Sequence, residues 1–367
     1  MNKKLIAIGI AAVLAVPFAA QAGVEVYGQA RVSVDLNNNS DDNTSKEKSN
    51  MSLSSNASRL GFKGDEDLGG GNSLLWQYET GVTFDTGTMN AEQRQTFVGV
   101  AGGFGTVLGG RLDTPYKSAT NSWDPFVDTK ADYNALMGGN VRASNALAYV
   151  TPNLNGFTGA LAYVMPSAVT GDGMPMTKTE KKESAYSLSG NYAQGPLNVA
   201  VGYEVLNKLG SFPASGTEKD NNTSWKVGAT YAIMDATTLG LIYENQDMGG
   251  TVVDKNNIYF FATHKVGDTT LKLAYTKADK WSGTDCSAIT TGAIASCDKT
   301  GATQISVGAS HNLTKNTEVY ALYSQISNDD NISYGLNGGP GAVTKVSGVA
   351  SDPSVLSVGI NHHFSSK

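Results

Sequence analysis

Along most of this chain apolar side chains fall on every second residue. In LNVAVGYEV one face carries Leu197, Val199, Val201, Tyr203 and Val205, and the other Asn198, Ala200, Gly202 and Glu204. In TLKLAYTK, Leu271, Leu273 and Tyr275 alternate with Lys272, Ala274 and Thr276. A period of two is the spacing of a β-strand with one apolar face. Sixteen such segments run from GVEVYGQARVSV to SVLSVGINHHF. The 42 glycines, 16 tyrosines and 11 phenylalanines, against 10 prolines, suit many strands joined by tight turns. After residue 22 no apolar run approaches the roughly 20 residues of a spanning helix, and mean hydropathy is -0.22. Two classes remain, an exported soluble β-protein and a membrane barrel, and hydropathy does not separate them.

The connections do. Short turns (AGGFG, TPNLNG, AQG, IMD, VGD, LTKN) alternate with long polar segments at residues 112–141, 166–182, 207–221, 278–301 and 328–353. A sandwich has no reason to sort its loops. An up-and-down barrel whose rims face different compartments does, with short periplasmic turns and long external loops. Tyrosines and tryptophans recur near strand ends, as interfacial girdles require. The cationic residues then have one place to go. In SRLGFKG, Leu60 and Phe62 alternate with Arg59, Gly61 and Lys63. An arginine turned to mid-bilayer lipid costs about 2–4 kcal/mol, so Arg59 belongs in the lumen.

The ends agree with export. MNKKLIAIGIAAVLAVPFAAQA has the basic, apolar and small-residue regions of a secretory signal peptide, predicting cleavage after Ala22 and a barrel domain over 23–367. In an exported chain the two cysteines, Cys286 and Cys297, most simply close one loop as a disulfide. They have no His or second Cys pair at ligand spacing, so no metal site is expected there. The formal charge of -6 excludes a nucleic-acid surface as the default. No cofactor is expected: the glycines of AGGFGTVLGG link two strands with no helix to cradle a phosphate. His264, His311, His362 and His363 lie near strand ends, away from any G-x-S-x-G or H-E-x-x-H motif. A soluble adhesin, or a barrel lipid hydrolase using His264 or His311, is the alternative.

VEVYGQARV, SRLGFKGDEDLGGGNSLLWQYE, RQTFVGVAGGFGTVLGGRLDTPY, ALAYVTPNLNGFTGALAY and the terminal GINHHF together resemble the general diffusion porins of Gram-negative outer membranes. The resemblance covers essentially the whole mature chain. It implies an all-β, transmembrane, antiparallel up-and-down barrel of 16 strands with an inward-folded third external loop. It also implies a homotrimer in outer-membrane lipid and lipopolysaccharide, passing ions and small hydrophilic solutes by diffusion rather than acting as an enzyme. Phe364 stands where the family's terminal aromatic does, but Ser365, Ser366 and Lys367 follow it. The third loop falls at residues 112–141, and its eyelet acids are expected at Asp124 and Asp128, with Asp132 behind them. Arg59, Arg94 and Arg142 match the arginine ladder of the opposite wall. Arg111 and Arg31 are weaker candidates, Arg111 on the reading that its neighbours Leu108 and Leu112 face lipid.

Overall fold

A computed structural model describes residues 23–39, 49–139, 141–165, 184–207, 221–248, 254–284, 286, 296–336 and 351–366. The expected signal peptide, residues 1–22, and parts of the long connections lie outside the described residues. The strands are β1 (Glu25–Asn39), β2 (Ser49–Ser55), β3 (Arg59–Gly69), β4 (Asn72–Thr83), β5 (Thr88–Gly102) and β6 (Gly105–Asp113). After residues 114–141 come β7 (Arg142–Val150), β8 (Phe157–Val164), β9 (Ser184–Gln194), β10 (Leu197–Asn207), β11 (Asn221–Ile233) and β12 (Thr237–Asp247). The series ends with β13 (Asp254–Val266), β14 (Thr269–Ala278), β15 (Ala302–Asn312), β16 (Thr317–Asn328) and β17 (Pro353–Ser365).

Each strand pairs antiparallel with its neighbours, and β17 pairs with β1 from Tyr27↔Ser365 to Asn39↔Pro353, which closes the sheet. Seventeen segments occupy sixteen places. β2 pairs with Val32 to Asn38 of β1 and β3 with Glu25 to Gln29, so the two are halves of one interrupted strand. The fold is a closed 16-strand antiparallel barrel, as the alternation and the loop sorting implied.

The interruption is at Asn56, Ala57 and Ser58, where Ala57 has φ +50°. The backbone groups it frees are satisfied by side chains and by β1. Ser58 Oγ donates to the Arg31 carbonyl at 3.0 Å and accepts from the Arg31 N–H at 2.9 Å, and Asn56 N–H donates to the same carbonyl at 2.9 Å. Such breaks bend a strand and re-aim the next side chain, and the next side chain is Arg59. At the other end of β3 the turn Gly69, Gly70, Gly71 has φ of +79°, +62° and +78°. That left-handed run is open to glycine and strained for other residues.

The faces are inverted relative to a soluble protein. On β10 Val201 and Tyr203 are 49% and 43% exposed, while Ala200, Gly202 and Glu204, which alternate with them, are buried. Leu271, Leu273 and Tyr275 are exposed on β14 against buried Ala274 and Thr276. On β1 the enclosed face reads Gln29, Arg31, Ser33, Asp35 and Asn37, all buried, with Val34 and Leu36 outside. A belt of large apolar side chains facing outward is stable only against hydrocarbon. One stretch departs from the polar interior: the enclosed faces of β6 to β9 carry Leu108, Leu112, Ala146, Ala148, Ala162 and Ala185 in one apolar cluster.

Candidate functional site

Residues 114–141 leave and rejoin the wall through a neck closed by the Thr114 N–H donating to the Val141 carbonyl at 3.1 Å. The segment opens with a short helix, α1 (Pro115–Thr120), whose N-cap Thr114 accepts from the Lys117 N–H and whose first residue is proline. Proline suits that place because a first-turn N–H has no intrahelical partner. Helix α1 packs against β9 and β10. Glycine at 202 allows this, since a Cβ there would lie 3.1 Å from the ring of Tyr116.

From α1 onward the segment touches enclosed faces around much of the barrel. Tyr116 Oη donates to Glu244 Oε1 of β12 at 2.6 Å, and the Gly138 N–H donates to Glu244 Oε2 at 2.9 Å. Asn257 Nδ2 and Gln246 Nε2 add 2.8 and 3.1 Å bonds to the same carboxylate, which is fully buried. Tyr259 Oη of β13 donates to Asp124 Oδ1 at 2.6 Å, and Lys255 Nζ donates to the Leu136 carbonyl at 3.1 Å. Gln304 of β15 reaches the Ala131 carbonyl, and Arg31 of β1 donates to the Val127 carbonyl at 2.6 Å. Lys226 Nζ of β11 sits 4.1 Å above the Tyr116 ring, a cation–π contact.

The predicted charges divide into three sets. Arg59 and Arg31 share one carboxylate: Arg59 Nη2 lies 2.8 Å from Asp128 Oδ2, and Arg31 Nη1 lies 3.9 Å from it. Arg59 is steadied from behind by Gln29, which accepts from its Nε at 2.9 Å. Burial pushes the Asp128 carboxyl up, but Arg59 and Arg31 outweigh it and hold the group below its ordinary value. The second set is self-neutralised. Arg94 Nε donates to Glu79 Oε1 at 2.6 Å and its Nη1 to Glu92 at 3.2 Å, while Tyr27 Oη donates to the other Glu79 oxygen at 2.9 Å. Arg142 bonds to Glu92 at 2.5 Å and lies 2.8 Å from Asp113, which also pairs with Lys117 at 2.9 Å.

The third set is internal to the loop. Asp124, expected at the eyelet, is 3% exposed and turned into the loop. It accepts from Tyr259 and from the backbone N–H groups of Phe126 and Tyr133 at 2.9 and 3.0 Å. Asp132 lies behind Asp128, accepting from its N–H at 2.8 Å and capping the 3-10 turn Tyr133–Ala135 through Asn134 N–H at 2.9 Å. Burial raises the carboxyls of both Asp124 and Asp132, and Asp124's charge raises Asp132 further.

Arg111 is a correction. It shares the face of Val107, which is exposed, while Leu108 and Leu112 are buried in the enclosed apolar cluster. It pairs across from Thr96 and donates to the Gln93 carbonyl and the Ser144 hydroxyl, both at 2.9 Å. Period two fixes which residues share a face without saying which face is enclosed. Here the enclosed face is the one that carries the apolar cluster, so charge alone pointed to the wrong face.

The sequence reading missed Glu79, Glu92, Glu244, Tyr259 and Lys255. Glu244 carried a usable signal, since in TTLGLIYENQ it alternates with Leu241 and Tyr243 on a strand whose other face is apolar. Replacing Glu244 with glutamine turns one of its two acceptor oxygens into a donor facing N–H groups. The expected result is faster amide exchange at Gly138, with barrel-strand amides unchanged.

Cys286 and Cys297 are joined by a disulfide, with Cα atoms 5.1 Å apart.

With this geometry in place, the relatives are informative. The family model described as Gram-negative porin matches residues 7–331. Outer membrane porin protein 32 of Delftia acidovorans is 28% identical over 391 residues, spanning 99% of this chain and all of that protein. The major outer membrane protein P.IB of Neisseria gonorrhoeae is 32% identical over 170 residues, 44% of this chain, and the match spans about half of that relative's length (48%). Among solved structures, an anion-selective porin from Comamonas acidovorans superposes with a TM-score of 0.72 at 24% identity, over 94% of this chain and 100% of that one. The trimer form of OmpT of Vibrio cholerae gives 0.65 at 18% identity, over 94% and 100%. An inverted, closed 16-strand wall and a family match over most of its length lead to one assignment: this chain belongs to the Gram-negative porin family.

Proposed function

We propose that the barrel is a water-filled channel of the Gram-negative outer membrane, passing ions and small hydrophilic solutes by passive diffusion through a constriction made by residues 112–141. One observation carries the reading. A single segment bonds to enclosed-face side chains on an arc of the wall that runs from β12 and β13 through β15 to β1 and β3, away from the β6 and β7 strands it joins. Contacts to that many enclosed faces support a segment that lies within the enclosed space and narrows it. Porins are channels rather than enzymes, and the conduction step needs a wide, weakly binding path.

The charge arrangement supports a modest preference for anions. Arg94, Arg142 and Lys117 are balanced by Glu79, Glu92 and Asp113. Arg31 and Arg59 have Asp128 between them, which leaves positive charge at the loop–wall junction. Two unit charges about 8 Å apart interact by about 0.5–2 kcal/mol between effective dielectrics of about 80 and 20, enough to bias an ion without trapping it. The Debye length of about 10 Å at 0.1 M salt is comparable to such a pore, so the preference weakens as salt rises. The trimer seen for the Vibrio protein supports the same assembly here. Export by a signal peptide cleaved after Ala22 completes the route to the membrane, with lipid and lipopolysaccharide meeting the outward apolar belt.

The hydrolase alternative gains nothing from the geometry: His264 Nδ1 lies 2.8 Å from Thr237 Oγ1 and His311 Nδ1 2.9 Å from Thr269 Oγ1, each at a strand end. Planar-bilayer recording in a salt gradient tests the proposal. Conductance rising in steps grouped in threes, with a reversal potential on the anion side, is expected. Folded trimers that never conduct would overturn it.

A further inference from the structure

Lys255 is a buried cation whose ammonium, among the described residues, is held by neutral groups. It is 3% exposed on β13, and its ammonium donates to the Leu136 carbonyl and to Tyr334 Oη, each at 3.1 Å. The rings of Trp281 and Tyr334 both lie 4.9 Å away. An ammonium is strongly hydrated, so removing it from water needs compensation. Here a carbonyl, a phenol hydroxyl and two aromatic faces supply it, the faces through cation–π attraction.

Two of those partners belong to connections outside the wall, and contacts link them to the disulfide. Trp281 follows β14, and Tyr334 follows β16. Trp281 Nε1 donates to Tyr334 Oη at 3.3 Å. Its backbone N–H donates to Thr300 Oγ1 at 2.8 Å, and that hydroxyl donates to the Cys297 carbonyl at 2.7 Å. Cys286, wholly buried, packs in one apolar cluster with Trp281 and Met248, and Cys297 lies half-buried against it. The contacts therefore run without a gap from the disulfide through Trp281 and Lys255 to Leu136, two residues before the Gly138 amide that Glu244 holds.

We propose that Lys255 is a positioning residue for the constriction, through which the disulfide-closed connection fixes the C-terminal end of the loop segment. This rests on the reading of residues 112–141 as the constriction. The bridge immobilises Trp281, Trp281 and Tyr334 hold the ammonium, and the ammonium holds the Leu136 carbonyl. Loss of any link leaves the carbonyl to water and lets residues 136–138 fluctuate in the path of the ions.

The test records single open channels of the full-length trimer in planar bilayers. Lys255→Met keeps a similar length and removes the donor and the charge. It is expected to raise the variance of the open-channel current several-fold, whereas a role in wall stability alone would lower insertion frequency and leave each open trace quiet. The second arm needs no mutation. Dithiothreitol added on the loop side opens the Cys286–Cys297 bond by thiol–disulfide exchange, entering at half-buried Cys297. The protein ends with two thiols, and the reagent gives up two electrons and two protons as it closes to its own cyclic disulfide. Reduced wild type is expected to match Lys255→Met, and the reagent to add nothing to the variant, because both break one chain of contacts. Quiet traces in both arms, or equal added noise from the reagent in wild type and variant, would overturn the proposal. A wild-type protein that never conducts would remove the channel reading and this proposal with it.

Discussion

Replacing Arg59 with glutamine is expected to move the reversal potential in a salt gradient toward the cation side, with little loss of barrel stability. The substitution leaves Asp128 facing Arg31 alone, at 3.9 Å rather than 2.8 Å, and removes one of the two positive charges at the loop–wall junction. Gln29 and Asn361 remain behind the site, hydrogen-bonded to one another at 2.7 Å, so the wall keeps its polar packing. Arg94→Gln gives the contrasting result. Arg94 and Glu79 are each below a tenth exposed and joined at 2.6 Å, and Glu92 also contacts Arg94. Breaking a buried pair by removing one partner costs about 3–5 kcal/mol because the other charge is left uncompensated. Arg94→Gln should therefore lower the unfolding midpoint in denaturant strongly and shift selectivity less than Arg59→Gln does. If both variants keep the wild-type reversal potential, the role of Arg59 is only to fasten the loop and that of Arg94 only to hold the wall.

The contrast shows what a sequence exposes in a protein of this class. Face-sharing is local: Leu60 with Phe62, or Val201 with Tyr203, follows from period two, and sixteen repetitions with sorted loops lead to a closed wall. Arg31, Arg59 and Arg94 were expected on the enclosed face because a charge in an alternating strand has only one tolerable side. Arg111 shows the limit of that argument. Near a strand end whose enclosed face carries Leu108 and Leu112, the arginine shares the outward face of Val107. Partners were not legible, because pairing depends on contacts between residues far apart in sequence. Asp124 and Asp128 are equivalent acids in WDPFVD, yet one meets a tyrosine of β13 and the other an arginine of β3. Lys255 in DKNNIYFF gives no sign of the carbonyl and rings that surround it.

Tyr259→Phe is expected to destabilise the protein more at pH 8 than at pH 5. Tyr259 donates to Asp124 at 2.6 Å, beside Asp132, in a loop where burial lifts Asp124 to about 6 and Asp132 to about 7. Both values lie above the unfolded carboxyl value near 3.9. The folded state therefore binds more protons than the unfolded one between those limits. A raised carboxyl contributes stability that is fully present below the unfolded value and is lost as pH rises through the folded one. Asp128 has the opposite sign, being held low by Arg59 and Arg31, so its contribution is lost only in acid below about pH 4 and stays constant across this window. At pH 8 the deleted hydroxyl had been bonded to a carboxylate, an interaction worth about 1.5–3 kcal/mol, whereas at pH 5 the partner is largely the neutral acid and the bond is worth about 0.5–1.5 kcal/mol. Without the donor the charged form of Asp124 loses one of its stabilising contacts, so its titration moves further up and the gap between the proteins widens with pH. Denaturant midpoints of both proteins at the two pH values check this, and other titrating groups cancel in the difference. An equal loss at pH 5 and pH 8 would mean that Asp124 keeps the same protonation state across the range, and the loop's hold on β13 through Tyr259 would then not weaken in acid.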